Sequence, residues 1–204
     1  MARQAMAFFI AQTRLLHMTS EKSLYLIALV PDEDLRAGIR SLKEEMKRRF
    51  GASHALKSPA HITLQMPFRR PSSFEPELCQ SLESLANRQG VFELPLKGFD
   101  CFPPRVLFVK VQNQQAVQSL HSQLQKVLKE TFGFSEQELG FRFHPHMTIA
   151  TRDLTQEAFR KAWPEFADRT FEAIFQVKSL FLLKHNGKTW DCHREFPFQG
   201  VVTG

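Results

Sequence analysis

The sequence predicts an α+β fold built from two similar halves that are related by a pseudo-twofold axis. Each half is expected to be a strand, helix, strand, helix, strand unit, because that order of hydrophobic patterns occurs twice along the chain. Corresponding elements are separated by roughly 80 residues, and each half carries a His-x-Thr tripeptide at the start of an apolar run. Such units predict a bilobal protein with mostly antiparallel sheets lining a central cleft and with helices outside.

The first half covers residues from about 23 to 102. It begins with a buried strand and continues with a helix that opens at Pro31-Asp32 and closes at Gly51. The strand that begins at His61 follows, and the stretch Pro67–Ser73 is predicted to be a loop. A shorter helix and a bent strand complete this half. The predicted ranges are Ser23–Val30 for the first strand, Phe74 to Gly90 for the short helix, and Val91–Phe102, bent at Pro95 and Gly98, for the last strand.

The second half, from about 105 to 198, repeats this order and then adds a hairpin. A loop at Gly133–Arg142 leads into the strand that begins at His146, and Pro164 is expected to interrupt the helix that follows. Asn186-Gly187 between two apolar runs is a strong hairpin signal. The remaining predicted elements are a strand at Arg105–Val111, a helix at Gln114–Thr131, a helix at Thr155–Phe166, a strand at Phe171–Lys178 and hairpin strands at Ser179–His185 and Lys188–Phe196.

Residues 1–22 are predicted to be a flexible N-terminal extension, followed by a single bilobal domain at residues 23–198. Arg3 ahead of the run Ala5–Ala11 superficially resembles a signal peptide, but the run is short and no clean cleavage site follows. A mobile extension, or an upstream start with Met18 as the working initiator, fits better. No apolar run is long enough to span a bilayer, so the sequence predicts no membrane partner.

Composition and charge narrow the class of protein further. The three cysteines, Cys79, Cys101 and Cys192, form no close pair, which favours a reducing compartment and predicts a cytoplasmic protein. The net charge of +6 suits an anionic substrate. A modest excess of Lys and Arg also serves solubility, so charge alone leaves both interpretations open.

The tripeptides His61-Ile62-Thr63 and His146-Met147-Thr148 carry the chemistry. On a strand, residues two apart point to the same face, so each His shares a face with its Thr. Two imidazoles at one site take and give protons in one turnover, and the Thr hydroxyls stabilise oxyanions. A third copy, His17-Met18-Thr19, runs into polar residues instead of an apolar strand and is discounted.

The stretches Ser58–Leu64 and Phe143–Ala150 resemble the paired motifs of the 2H phosphoesterase superfamily, especially its bacterial branch of 2′-5′ RNA ligase-like proteins and RNA 2′,3′-cyclic phosphodiesterases. The resemblance extends over roughly Leu24 to Phe196 in motif order and spacing. Met66-Pro67-Phe68 departs from the glycine-containing stretch of several relatives, which leaves substrate size open.

The resemblance implies a metal-independent enzyme, without a cofactor, that hydrolyses 2′,3′-cyclic phosphates or 2′-5′ bonds of RNA or nucleotides. It makes His61 and His146 the acid and base, in an order left open, with Thr63 and Thr148 on the phosphate oxygens. A non-catalytic nucleotide or RNA-end binding module and an RNA ligase working in the reverse direction are the alternatives. Because the repeat supplies both half-sites, a monomer is expected.

Other residues near the predicted strand ends are candidates for substrate binding. Phe68 and Phe143, with Phe141 and Trp190, are rings able to stack on a base. Because the chain has 20 Phe residues, core packing is the alternative for most of these rings. Arg70 and Arg152 are predicted to contact phosphates, with Arg69, Arg105 and Arg142 also near the rim.

Two further sets of polar residues are expected to have no part in the chemistry. Lys43, Lys47, Arg48 and Arg49 are predicted to form the solvated face of the first helix. His144 and His146, with His185 or Cys192-His193, match no tetrahedral ligand spacing, so no metal site is predicted.

Overall fold

A computed structural model describes residues 22–140 and 142–200 of the chain. Residues 1–21 of the predicted N-terminal extension, with the discounted His17-Met18-Thr19 tripeptide, and Phe141 lie outside these ranges, whereas Lys22, the last residue of that predicted extension, begins β1. Two four-stranded sheets and five α-helices form the described part. The strands are β1 Lys22–Leu29, β2 Ile62–Pro71, β3 Phe92–Phe102, β4 Val106–Val111, β5 His146–Ala150, β6 Glu172–Val177, β7 Ser179–His185 and β8 Trp190–Pro197; the helices are α1 Glu33–Phe50, α2 Glu75–Ala86, α3 Gln115–Phe132, α4 Glu136–Leu139 and α5 Gln156–Ala167.

The two sheets confirm the predicted α+β class, with every strand pair antiparallel. The first sheet has the order β2-β1-β7-β8 and the second has the order β5-β4-β3-β6. Each sheet therefore takes strands from both halves of the sequence, because β3 joins the second sheet while β7 and β8 join the first. Only Lys178 separates β6 in one sheet from β7 in the other.

Local sequence signals explain the limits of α1. The Asp32 carboxylate accepts a hydrogen bond from the Leu35 backbone N–H at 3.0 Å, which satisfies one of the free donors at the helix start. Gly51 ends the helix with φ of 70°, a left-handed conformation that is accessible to glycine at little cost.

One continuous hydrophobic core joins both sheets to the helices. The buried faces of β1, β2 and β4 supply fully buried side chains such as Ile27, Leu64 and Val109. α1 packs on β5 and α5 on β3, whereas α2 packs on β7 and β8. The opposite face of the first sheet holds a smaller apolar cluster that includes Leu26 and Leu183, and Leu26 reaches the wall of the cleft described below.

Three predicted element boundaries are wrong. The predicted loop Pro67–Ser73 is largely strand, because β2 continues to Pro71. β2 is an edge strand, so Pro67 removes no essential ladder hydrogen bond. α5 runs through Pro164 to Ala167, and the predicted loop Gly133–Arg142 contains α4, which begins with a capping box at Ser135.

A cluster of polar side chains around Glu75 ties α2 to the first sheet. The Glu75 carboxylate accepts hydrogen bonds from the Tyr25 hydroxyl at 2.9 Å, from Lys184 Nζ at 2.9 Å and from His193 Nε2 at 2.6 Å. Burial pushes the pKa of Glu75 up, but the three donors outweigh burial and hold the pKa at about 2. The ionised carboxylate is therefore much better stabilised in the folded than in the unfolded protein.

Glu75→Gln is expected to lower the free energy of unfolding at neutral pH by an amount on the order of 2 kcal/mol. Since the folded pKa is depressed, this stabilisation is present above the unfolded pKa and is lost as pH falls toward the folded pKa of about 2. Urea unfolding at neutral and acidic pH, with the exposed Glu77→Gln as control, measures it. A difference between parent and variant that stays constant down to acidic pH would contradict the assignment.

No helix in the described residues combines the length and apolar character that crossing a membrane requires.

Candidate active site

His61 and His146 are held by the same backbone contact. His61 Nδ1 lies 2.9 Å from the Pro59 carbonyl oxygen, and His146 Nδ1 lies 2.6 Å from the His144 carbonyl oxygen. A carbonyl oxygen only accepts, so each Nδ1 carries the hydrogen and donates it. The neutral imidazoles are thereby fixed in one tautomer, with the Nε2 lone pair left for proton transfer.

The structure brings both His-Thr pairs to one cleft of about 320 Å³, lined by His61, Thr63, His146 and Thr148. The strands that carry them, β2 and β5, approach one another although they belong to different sheets. Each Thr lies two residues beyond its His and so on the same side of its strand.

Burial is the main influence on the proton affinity of both imidazoles. It lowers the pKa of His61 to about 4 against the opposing effect of the Pro59 carbonyl, and the positive charges of Lys43 and His146 lower it further. Burial also lowers the pKa of His146, although the His144 carbonyl acts in the opposite direction. Both rings are therefore neutral at physiological pH when the cleft holds no anion.

The walls of the cleft are basic. Lys57, Arg142 and Arg152 line it, and no Asp or Glu is present among its described lining residues. Arg152, as predicted, lies at the cleft, and its φ of 57° is a left-handed conformation that is costly for a residue with a side chain. Strain of this kind is commonly held at functional sites. The positive charge suits an anionic ligand.

An exposed ring stands beside the second histidine. Phe102, at the end of β3, is 41% exposed, and its ring centroid lies 5.2 Å from that of His146 and 5.3 Å from that of His144. Trp190 and Met66 add apolar surface to the same cleft. Sequence reasoning missed Phe102, because its position depends on the pairing of β3 with β4 and of β4 with β5, which the chain order does not reveal.

Two predicted binding residues of β2 lie away from the cleft. Phe68 is 5% exposed and packs between Tyr25 and Phe134, with ring centroids 5.8 and 5.1 Å away. The Arg70 guanidinium forms an ion pair with the Glu138 carboxylate at 2.7 Å and lies 4.2 Å from the Phe134 ring centroid. Both side chains pack the fold, so their predicted contact with substrate is wrong.

Phe143 is also displaced from its predicted place. Its ring stacks on His121 with centroids 3.9 Å apart and an angle of 5° between the planes, and it packs against the main core. Its neighbour His144 does line the cleft. The chain alternates here, so Phe143 and His144 face opposite sides.

Hydrogen bonds link a residue that follows each His-x-Thr motif to the segment that precedes the other motif. The Asp153 carboxylate, just after β5, accepts from the backbone N–H groups of Ser53 and His54 at 2.9 and 2.8 Å, ahead of the first motif. In the other direction, Gln65 Nε2 in β2 donates to the Glu138 carbonyl at 2.9 Å, ahead of the second motif. The two ties fix the position of one His-Thr pair relative to the other.

Lys43 corrects the prediction of a solvated helix face. Its side chain is buried, and Nζ donates to the carbonyl oxygens of Ser58 and Pro59 at 3.0 and 3.2 Å. Lys47, Arg48 and Arg49 are exposed as predicted. The spacing held a signal for Lys43, since it lies four residues after Ile39 and three before Met46, on the apolar stripe of α1.

Across residues 22–140 and 142–200, no three His, Cys, Asp or Glu side chains are close enough together to hold a metal ion. His193, considered above as a metal ligand, instead donates to Glu75.

Comparisons with known proteins place these features in context. A family model described as the 2′-5′ RNA ligase superfamily matches residues 31–189. A candidate phosphoesterase of Bacillus cytotoxicus is 30% identical over 156 residues, which cover 74% of this chain and 85% of that protein. An RNA 2′,3′-cyclic phosphodiesterase of Thermotoga maritima is 29% identical over 132 residues, which cover 60% of this chain and 66% of that protein.

Solved structures share the fold at low sequence identity. The crystal structure of E. coli LigT complexed with 3′-AMP has a TM-score of 0.60 and 17% identity, covering 87% of this chain and 99% of that chain. The crystal structure of TT0787 of Thermus thermophilus has a TM-score of 0.60 and 21% identity, covering 87% of this chain and 98% of that chain. The fold of this chain is therefore an architecture that several proteins have in common.

Proposed function

The chain belongs to the 2′-5′ RNA ligase superfamily of phosphoesterases, and on that premise we propose that it hydrolyses 2′,3′-cyclic phosphate or 2′-5′ phosphodiester bonds of RNA or nucleotides without a metal ion. The observation that carries the proposal is the pair of imidazoles in one basic cleft, each with Nδ1 donating to a carbonyl and Nε2 left for proton transfer. General acid and general base catalysis in one turnover requires two such groups.

With a 2′,3′-cyclic phosphate, the oxygen of a water molecule attacks phosphorus while one neutral imidazole takes its proton. The bond from phosphorus to one ribose oxygen breaks, and the other histidine, as imidazolium, gives that oxygen a proton. Thr63 and Thr148 donate hydrogen bonds to the non-bridging oxygens, where negative charge develops in the transition state. The two rings end with their protonation states exchanged, and proton exchange with solvent restores them.

The cleft walls supply the remaining contacts of a nucleotide. Lys57 and Arg152 place positive charge near the phosphate, and the exposed face of Phe102 offers a surface for a base beside His146. LigT was crystallised with 3′-AMP, and a relative from Thermotoga is named an RNA 2′,3′-cyclic phosphodiesterase. Both names support a nucleotide or an RNA end as the substrate.

The direct test is hydrolysis of 2′,3′-cyclic nucleotides, free and at the end of a short RNA, in the presence of EDTA. Turnover that is unaffected by EDTA is the expected result. Binding without turnover would show that the protein is a nucleotide-binding module and not this enzyme. Activity that vanishes in EDTA and returns with a divalent ion would contradict metal independence.

The pH dependence of kcat/KM is expected to be bell-shaped, with its centre below about pH 6.5, the ordinary pKa of imidazole. The base must be neutral, so the rate falls below its pKa; the acid must be protonated, so the rate falls above its pKa. Burial lowers both values in the free protein. A bound phosphodiester anion raises both, so the bell for kcat moves toward higher pH.

Initial rates measured across the acidic and neutral range, at low and at saturating substrate, check this expectation. A kcat/KM that stays flat across the range while chemistry limits the rate would contradict it.

A further inference from the structure

Lys43 is a buried cation that no carboxylate neutralises within the described part of the chain. It is 3% exposed and has no ion pair there. Its ammonium group is instead held by the carbonyl oxygens of Ser58 and Pro59, at 3.0 and 3.2 Å. Burial of a charge without a counter-ion is unfavourable, and among the described residues only the two carbonyl contacts offset the cost of removing the ammonium from water.

The Pro59 carbonyl links Lys43 to the first histidine. Its oxygen accepts from Lys43 Nζ at 3.2 Å and from His61 Nδ1 at 2.9 Å. A carbonyl oxygen has two lone pairs and accommodates both donors. The ammonium and the imidazole therefore contact the same carbonyl oxygen, and the positive charge of Lys43 disfavours protonation of His61.

The second histidine lacks this arrangement among the described residues. The His144 carbonyl accepts from His146 Nδ1, and no Lys or Arg side chain in residues 22–140 and 142–200 donates to that carbonyl. The rings of Phe102 and Phe108 lie beside His146 instead, with centroids 5.2 and 4.7 Å away. The two halves of the site thus match in backbone geometry and differ in the cation behind His61.

We propose that Lys43 is a positioning residue for His61, which it keeps neutral through the shared Pro59 carbonyl, so that His61 is the general base and His146 is the general acid. The inference rests on the proposed hydrolysis. His61 Nε2 takes the proton of the attacking water as the water oxygen bonds to phosphorus. His146 Nε2–H gives its proton to the departing ribose oxygen as the bond from that oxygen to phosphorus breaks.

Other charged groups near the two side chains do not reverse this order. The titratable groups that share the cleft with His61 are basic: His54, Lys57, Arg142, His144, His146 and Arg152. Behind Lys43 a cavity of about 290 Å³ is lined by the charged residues Glu33, Arg36 and Arg40. Burial, and then Arg40, lower the pKa of Lys43 to about 8, so its ammonium is charged throughout the acidic range in which His61 titrates.

The first test measures protonation independently of turnover. In the parent protein, NMR titration of the ring ¹⁵N signals is expected to give a midpoint for His61 that lies about one pH unit or more below that of His146. Lys43→Met should raise the His61 midpoint by about one unit and leave the His146 midpoint in place. Lys47→Met, one turn along the exposed side of the same helix, is the matched control and should change neither.

Lys43→Met should also lose about tenfold in kcat/KM on the acidic limb of the pH profile and much less at the optimum. Lys43→Arg, which keeps the charge and has the adjoining cavity for its larger head group, should retain the parent's acidic limb. If His146 titrates at a lower pH than His61 in the parent protein, the proposal is overturned, even if Lys43→Met fails to fold. A folded Lys43→Met with an unchanged His61 midpoint would also overturn it.

A second test assigns the acid and base directly. A nucleoside p-nitrophenyl phosphodiester has a leaving group that departs without a proton. His146→Ala is therefore expected to lose at least about tenfold less on this ester than on the cyclic phosphate, whereas His61→Ala loses similarly on both. The reverse pattern would overturn the assignment. If the parent hydrolyses neither substrate, the proposed function fails, while the ring titrations still decide the role of Lys43.

Discussion

Replacement of His61 or His146 with alanine is expected to lower kcat for a 2′,3′-cyclic phosphate by about 10²–10⁴-fold in each case. His61, just before β2, and His146, the first residue of β5, are each oriented by a hydrogen bond from Nδ1 to a backbone carbonyl. Neither variant retains a group that moves a proton at the same place. The double variant should lose much less than the product of the two single losses, because the two groups act in one step.

Steady-state kinetics on both single variants and the double variant measure this effect, with circular dichroism to confirm the fold. His193→Gln is a suitable control, since His193 lies with Glu75, away from the cleft. Its specific activity should equal that of the parent. If either alanine variant kept full activity, the cleft would need only one histidine and the two-histidine proposal would fail.

Replacement of Thr63 or Thr148 with valine is expected to lower kcat by about 10²-fold, the order seen when one donor to a developing oxyanion is removed. Valine preserves the shape and the β-branch of threonine and removes only the hydroxyl. Both positions are half-buried at the cleft. The loss should therefore come from the transition state, with a small change in stability.

Thr63→Ser and Thr148→Ser keep the hydroxyl and supply the matched controls, with most of the parent's kcat expected in each. A valine variant that raised KM at constant kcat would show that the hydroxyl binds the substrate and its transition state equally. That result would remove the threonines from the stabilisation of developing charge.

Periodicity carried most of the prediction of the fold. α1 and α3 present apolar residues every three or four positions, and the buried runs of β1 and β4 are bounded by turn residues, so chain order alone located them. The two His-Thr pairs of the cleft were likewise predictable, because each tripeptide lies at the start of a strand and strand alternation fixes which side chains share a face.

Phe68 shows where the same reasoning fails. Pro67 looked like the start of a loop, yet it lies in an edge strand where a missing N–H is tolerated. Register shifts between β1 and β2 move Met66 toward the cleft and return Phe68 to the core face shared by Ile62 and Leu64. Irregularities of this kind depend on the partner strand and leave no mark in the sequence of β2 itself.

The predictions for Lys43 and Arg70 were wrong for a different reason. Charged residues are predicted to meet solvent or substrate, because burial of an isolated charge is costly. Here two carbonyls compensate Lys43, and Glu138 with the Phe134 ring compensates Arg70. These partners are distant in sequence or come from irregular segments, so only the folded chain brings them together.

The distribution of strands from both halves of the sequence over the two sheets determines how the chain can be divided. Cleavage of the chain between β3 and β4 would give one fragment with β1, β2 and β3 and another with the remaining strands. Neither fragment contains a complete sheet, and the strand edges left open would favour pairing with another chain. The halves of the sequence are therefore copies in pattern but not independent folding units.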